Sequence, residues 1–431
     1  MDQPRALRNL LPASRVSLTV RRRRLGGLAT AGLLTCALVA LAGSPTGIEA
    51  PAVRDPQARP VPVTTAPTPT PTPTPQPPEP PEPPTAPPAR TATLVMGGDL
   101  LWHDTVWLSA QEDHARTGRG RRFDFAPMFA ALAPLVREAD VAVCHEEVPF
   151  AGPGQALQSY PVFAAPPAVA PWIAETGFDA CVTASNHTVD QGWEGLVRTA
   201  DLLEAGGVRH VGTFRSQKER SRPVVVTTDQ GVRVGIVAGT YGLNGFPLPE
   251  GRPWSVSMWD ADNLLGQAAR ARRAGADIVV VHLHGGNEYD HLPNADQVAL
   301  VERLTASPDV DLVLGEHAHV VQPITKVNGT WVVYGMGNMV AQQEVERPRT
   351  YEGITVRFTF TERPDDGFAV SEAAYVPTYW SHWVPGRPIR IQRVVNALAT
   401  GRGDLARLRE ARREIREAVN GLGRTPGLVE R

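Results

Sequence analysis

The stretch from Pro51 to Arg90 constrains this chain most: it is dominated by Pro, with Thr alternating through Thr65 to Pro75. Proline fixes φ and removes a backbone donor, so such a run holds an extended polyproline form and builds no core. Whatever folds must lie to one side of it. Ahead of it, the first 24 residues carry seven Arg and one Asp, and an apolar run follows from Leu25 to Ala42, ending in the small-x-small triplet Ala40-Leu41-Ala42. That is the pattern of an export signal. The run is also close to the length of a spanning helix, so cleavage and retention as an N-terminal anchor both fit. Either way the arginines stay inside and the remainder is expected to be extracytoplasmic, secreted or held at the membrane. Residues 1–42 are thus read as signal peptide or anchor. Residues 43–90 are read as a disordered linker, whose proline-rich part reaches on the order of 100 Å at about 3.1 Å per residue. Cys36 is a poor lipid-attachment site, because it sits in the middle of the apolar run.

Folding is left to the residues from Thr91 onward. With 42% hydrophobic and 20% charged residues, the chain has enough apolar surface there for one large domain. Of the 43 basic and 45 acidic residues, seven and one precede Leu25, which leaves 36 against 44 and a net charge of −8 after Ala42. Nucleic acid is a poor partner for that balance. Three cysteines are too few for a disulfide framework, and Cys144 and Cys181 are expected as small buried groups in strands.

Short β-rich runs alternate with helical ones, which is the pattern of an α/β domain. Strands are expected near 93–97, 141–144, 180–183, 224–227, 232–237, 278–283, 310–314 and 331–334, with late strands at 354–361 and 368–376. Apolar residues at three- and four-residue steps predict helices over 127–138, 193–205, 261–274, 295–306 and 404–420.

Polar clusters fall where five of these strands end, which is where open α/β sheets place their sites. They are Gly97-Gly98-Asp99, His145-Glu146-Glu147, Ser185-Asn186-His187 with Asp190, His282-Leu283-His284 with Glu288, and Glu316-His317-Ala318-His319. Carboxylate, amide oxygen and neutral imidazole together suit divalent first-row metals, and a bridging carboxylate can hold two ions about 4 Å apart. A His that is not a ligand can protonate a leaving group when a carboxylate holds its other nitrogen, and His187 and Asp190 have the spacing for that pair. Taken alone, Asp99 reads equally as a turn or helix cap, and Asn186-His187 as an Asx turn. Recurrence at one sheet edge favours the chemical reading. His317 and His319 alternate after a strand and are expected to project the same way. His282 lies one pleat deeper than His284 and is expected to pack in the core.

The series Gly98-Asp99, Glu147 with Pro149, Asn186-His187 with Asp190 and Gly192, His284 with Glu288-Tyr289, His317-x-His319 and Gly337-Asn338 resembles the CapA family. That family is associated with poly-γ-glutamate capsule synthesis and is similar in fold to the calcineurin-like metallophosphoesterases. The resemblance implies an α/β fold over 91–380, a four-layer αββα sandwich of the metallo-dependent phosphatase type, followed by a helical extension over 381–431. It implies one or two divalent ions (Mn, Fe or Zn) held by Asp99, Glu147, Asn186, His284, His317 and His319. His187, held by Asp190, would be the general acid, with Glu288 and Asn338 supporting the rim.

The function implied is that of a metal-dependent hydrolase or transferase acting on an amide or phosphate ester of a capsule or cell-envelope polymer. Poly-γ-glutamate is the candidate polymer and a membrane synthase complex the candidate partner. A metallophosphatase or phosphodiesterase, and a non-catalytic accessory subunit for polymer export, are the alternatives. The chain departs from the family pattern in places. His145-Glu146 stands where Asn-Leu is usual, Gly285 where Trp is common, and Glu316 and Ala318 where His and Pro are usual. Leu101 stands where metallophosphoesterases carry the His of Asp-x-His, and His103 is the nearest candidate to replace it.

A chain beginning near Thr91 is expected to fold by itself, because no core-forming segment precedes it. Circular dichroism should show a cooperative melt, and a soluble but unfolded product would contradict the boundary.

Overall fold

The β-branched runs and the runs of three- and four-residue period each adopt the element that their period dictates. In the computed structural model the described residues are 88–364 and 367–431; the segment expected to be an export signal, Cys36 and the part of the expected linker before residue 88 lie outside them. The strands in chain order are β1 (Thr91–Leu100), β2 (Val141–Glu146), β3 (Ala180–Val182), β4 (Arg209–Val211), β5 (Val224–Thr227), β6 (Arg233–Thr240), β7 (Ile278–His284) and β8 (Leu312–Glu316). Then come β9 (Ile324–Val327), β10 (Thr330–Val333), β11 (Asn338–Val340), β12 (Glu352–Glu362), β13 (Phe368–Tyr379), β14 (Gln392–Arg393) and β15 (Leu428–Glu430). The helices are α1 (Asp104–Thr117), α2 (Ala133–Glu138), α3 (Val169–Thr176), α4 (Gly192–Ala205), α5 (Gln217–Arg220), α6 (Ala261–Arg273), α7 (Ala295–Thr305), α8 (Val394–Ala399) and α9 (Leu405–Val419).

Two sheets result. The larger runs β14-β13-β12-β1-β2-β3-β4, with β11 added to β1 and β15 to β13; the smaller runs β5-β6-β7-β8-β10-β9. Their inner faces meet: Leu94, Met96, Val141 and Val143 share one buried cluster with Ile236, Ile278, Val280, Leu312 and Leu314. Outside the larger sheet, Val95, Ala142 and Cys144 pack on Val106 of α1, Val136 of α2 and Ile173 of α3. Outside the smaller one, Val279, Val281 and Val313 pack on Leu264 of α6 and Val301 of α7. Helix, sheet, sheet and helix are therefore stacked in that order, and the α/β expectation holds. Each fully buried Val, Leu or Ile contributes about 1.5–3 kcal/mol relative to exposure, so the apolar inner faces fix which way every strand is turned.

That fixing matters at the strand ends. Side chains alternate along a strand, so with Val141 and Val143 facing inward His145 must face inward as well. By the same rule Ile278 and Val280 send His282 and His284 into the space between the sheets, and Leu312 and Leu314 send Glu316 there. In β1 the pairing with β2 shifts between Met96 and Asp99. Gly98 lies where β1 passes β11, and a Cβ there would overlap the Gly337 carbonyl, so only glycine permits the approach.

Three differences from the sequence reading have physical causes. The helix expected over 127–138 is shortened to α2, with turns before it; Pro134 sits in its first turn, where proline starts a helix rather than continuing one. The segment 381–431 holds α8 and α9 but also β14 and β15, which pair with β13, and α9 lays Ala411, Ile415 and Val419 into the inter-sheet core. β14 and β15, of two and three residues, offer no alternating apolar run to read from sequence. Finally, Cys144 and Cys181 are not separate buried thiols. They stand opposite each other in the parallel register of β2 and β3 and form a disulfide closing a sequence separation of 37.

Peptide mapping without reductant is expected to recover Cys144 and Cys181 in one linked species. Replacing both by Ala is expected to cost about 2–4 kcal/mol of stability, the usual range for a loop of this size. Two freely alkylated thiols in the native protein would contradict the pairing.

Candidate metal centre

The structure brings Asp99, Glu147, Asn186, His284, His317 and His319 to one end of the inter-sheet space, and all six are at least nine-tenths buried. Asp99 ends β1, Glu147 follows β2, Asn186 follows β3, His284 ends β7, and the two histidines follow β8. His317 and His319 do not continue the strand. Both adopt left-handed backbone, with φ of 97° and 56°, a conformation that costs a non-glycine residue of order 1–3 kcal/mol and clusters at functional sites.

The contacts are specific. Asp99 Oδ1 lies 2.7 Å from His145 Nδ1, and its Oδ2 lies 3.2 Å from His319 Nδ1. Asn186 Nδ2 donates to Asn244 Oδ1 at 3.1 Å, which turns Asn186 Oδ1 toward His284 Nε2 at 2.9 Å. Asn338, as expected, braces the site. Its Nδ2 donates to Gln343 Oε1 and to the Thr350 carbonyl, so its Oδ1 faces His319 Nδ1 at 2.9 Å. With Asn338 and Asp99 both offering oxygens, Nδ1 of His319 carries a proton, and Nε2, 3.9 Å from Glu147 Oε1, is the nitrogen left to meet a cation. Ser185 ties two loops together, donating to the Glu147 carbonyl and accepting the His187 N–H.

Charge in this water-poor space is unbalanced. Burial pushes the Glu147 carboxyl up, and the Asp99 charge adds to it, so it sits well above the usual range. Burial works against Asp99 too, but hydrogen bonds from His145 and His319 hold it below the usual range. Burial lowers His319, yet Glu147 and Asp99 outweigh it and hold the imidazole up at about 9. Burial and then the His319 charge push His317 down to about 3, and burial with neighbouring imidazoles holds His284 well below its ordinary value. Both Glu147 oxygens, His284 Nδ1 and His317 Nδ1 have no hydrogen-bond partner among the described residues. Each buried unsatisfied group costs about 1–3 kcal/mol. A divalent cation resolves the imbalance, since it lets both carboxylates ionise and takes the neutral imidazole lone pairs as ligands. The donor set is compatible with divalent metal binding, and ligand atoms of Asp99, His145 and His284, and of Glu147, His317 and His319, form two groups each within 4.8 Å.

His187 and Asp190 meet as expected, with Nδ1 to Oδ2 at 2.7 Å. Asp190 Oδ2 also accepts the Phe163 N–H at 2.7 Å, and the Phe163 ring stands edge-on to His187. Asn244 Nδ2 lies 3.5 Å from His187 Nε2. Glu288 is exposed at the rim, where its charge raises His319 and Glu147.

Several features were not legible in the sequence. His282 is buried as expected, but it does not pack as an ordinary core residue: its ring lies 4.9 Å from that of His145, and neither ring nitrogen has a hydrogen-bond partner among the described residues. His103, the candidate replacement near Leu101, accepts the Gln342 N–H at Nδ1 and is in neither donor group. His145 is in one of them; its alternation with Val141 and Val143 was the available signal. At Gly285 a Cβ would overlap the ring of Trp259, which comes from before α6, so this chain has no room for a side chain at 285. A third acidic and histidine group, Glu204, His210 and Glu219, already has Arg215 bound to both carboxylates, which supplies its counter-charge.

With this geometry in hand, comparisons with known proteins identify relatives. Residues 93–343, more than half of the chain, match the family model described as "Bacterial capsule synthesis protein PGA_cap". The chain is 31% identical over 175 residues to the capsule biosynthesis protein CapA of Bacillus anthracis, covering 40% of this chain and 42% of that protein. It is 29% identical over 178 residues to the PGA biosynthesis protein CapA of Bacillus subtilis, covering 41% and 46%. The matched stretch thus spans less than half of either relative. Among solved structures, the calcineurin-like phosphoesterase YfkN from Bacillus subtilis aligns at 14% identity with a TM-score of 0.41, covering 75% of this chain and 100% of that one.

Glu147 is the carboxylate of one donor group and its Oε1 lies 3.9 Å from His284 Nε2 of the other, so Glu147→Ala is expected to abolish metal retention. His317→Ala, which removes one imidazole, should weaken retention, and His187→Ala should leave it intact. Elemental analysis of the purified proteins checks the series, and wild-type metal content in Glu147→Ala would contradict it.

Proposed function

The chain belongs to the bacterial capsule synthesis protein family, and from that premise we propose that it is an exported, metal-dependent hydrolase or transferase. Its substrate is an amide or phosphate ester of a cell-envelope polymer, with poly-γ-glutamate as the polymer. The observation that carries this reading is the His187–Asp190 pair at 2.7 Å beside a donor set rich in unpartnered carboxylate and imidazole. A structural polar cluster has no need of a separately oriented histidine next to it.

Asp99, Glu147, Asn186, His284, His317 and His319 would hold the ions, assisted by Asn338, which fixes the His319 tautomer. Bound there, divalent ions activate a water near neutral pH and polarise a phosphoryl or carbonyl oxygen. Asp190 accepts from Nδ1 of His187, so Nε2 is the atom from which a proton passes to the leaving group. Phe163 holds both members, through its N–H to Asp190 and its ring against His187, and a general acid fixed in this way loses little to disorder at the moment of transfer.

At the rim, the Tyr241 ring lies tilted against that of His317 at 4.6 Å, and Arg347 stands 3.9 Å over the Tyr289 ring. An arginine beside the opening offers a planar cation for the carboxylates of an acidic polymer. Export is assigned on the arginine-rich and apolar segment at the front of the sequence.

His187→Ala is expected to keep its metal and lose turnover by about 10²–10⁴, the weight of general acid help. The assay uses the Mn²⁺-loaded protein with poly-γ-glutamate and with generic phosphate esters. Turnover of esters alone would move the assignment to a phosphoesterase. Undiminished turnover in His187→Ala, or unchanged capsule output in cells carrying it, would contradict the catalytic reading.

A further inference from the structure

Two positions at which the chain departs from its family pattern, His145 and Glu316, are far apart in sequence, yet each stands beside a proposed metal ligand at the same end of the inter-sheet space. Asp99 pairs with His145 across β1 and β2, and His284 pairs with Glu316 across β7 and β8. All four side chains face the inter-sheet space, and with His282 they form its inner end, each with at most 1% of its surface exposed. The His145 ring lies 4.7 Å from that of His284 and 4.9 Å from that of His282. Ligand atoms of Asp99, His145 and His284 lie within 4.8 Å of one another.

Much of the polar capacity of this end is left over after the Asp99–His145 and Asn186–His284 contacts. His145 Nε2, His284 Nδ1, both nitrogens of His282 and both oxygens of Glu316 lack a hydrogen-bond partner among the described residues. A core that needed only to be filled would be more stable with apolar side chains of similar volume. Three imidazoles and two carboxylates in one dry space instead make the donor set of a first-row divalent ion, softer than the all-oxygen sets that suit Mg²⁺ or Ca²⁺.

We propose that Asp99, His145 and His284, with the buried Glu316 carboxyl beside His284 and His282 behind them, hold a divalent first-row cation at the inter-sheet end, distinct from an ion at Glu147, His317 and His319. His145 then stands in space for the ligand that Leu101 cannot supply. The inference rests on the metal-centre reading above and adds the location and ligands of the inner ion.

The test uses the full chain, reconstituted with Mn²⁺ or Zn²⁺, and reads metal stoichiometry together with anomalous diffraction at the metal edge. The unaltered protein is expected to hold two equivalents, with one anomalous peak in coordination range of Asp99 and His145. Glu316→Gln, which preserves shape, and His145→Asn are each expected to lose about one equivalent while keeping the ion beside Glu147 and His317. Two equivalents in both variants would overturn the inference, as would peaks beside Glu147 alone with Asp99 and His145 in direct hydrogen bond and no peak in coordination range of them. Those results would leave the metal centre itself standing. No metal in the unaltered protein would overturn both. The diffraction arm does not depend on any variant folding.

Discussion

Two carboxylates and a set of imidazoles are buried together at one end of the inter-sheet space that also holds the core. Because Val141, Val143, Ile278, Val280, Leu312 and Leu314 must face inward to join the two sheets, His145, His282, His284 and Glu316 follow at the strand ends. Burying one ionised carboxylate unpaired is costly, and burying two side by side is worse. The Asp99 and Glu147 pair therefore sets the terms for everything around it. The two carboxylates raise the basicity of His319, Glu147 is pushed toward its neutral form, and His317 and His319 leave the strand in left-handed backbone.

The surrounding polar contacts select orientation. Asn338 and Asn244 each use one end of an amide to turn a neighbour: Asn338 fixes which nitrogen of His319 is free, and Asn244 turns the Asn186 oxygen inward. Ser185 couples the Glu147 loop to the His187 loop, so the donor set and the His187–Asp190 pair are not positioned independently. A substitution at Ser185 should disturb both, although it touches neither a proposed ligand atom nor the proton-bearing nitrogen.

Much of this was legible in the sequence where a long pattern carried it. Six motifs at strand ends gave the family, and the match over 93–343 bears that out. The strands whose inner faces alternate were placed to within a few residues. What sequence could not supply was register between distant strands. Cys144 and Cys181 are opposite each other only because β2 and β3 pair as they do, and Trp259 fills the space at Gly285 from a different segment. The same gap concealed His145. Its inward direction followed from alternation with Val141 and Val143, but its approach to Asp99 depended on a register shift in β1 that no local pattern announces. His103, nearer to Asp99 in sequence, instead accepts a backbone N–H from Gln342.

If a bound cation balances the buried charge, it must stabilise the fold as well as serve chemistry, because a ligand that binds only the native state adds about 2.7 kcal/mol at a hundred times its dissociation constant. The most direct measurement is the thermal melt of the full chain after chelation and again after first-row divalent ions are restored. The melting temperature should fall when the metal is stripped and recover with Mn²⁺ or Zn²⁺ but not with Na⁺. An unchanged melt across all three conditions would show that the cluster holds its charges without a metal, and would contradict the account at its centre.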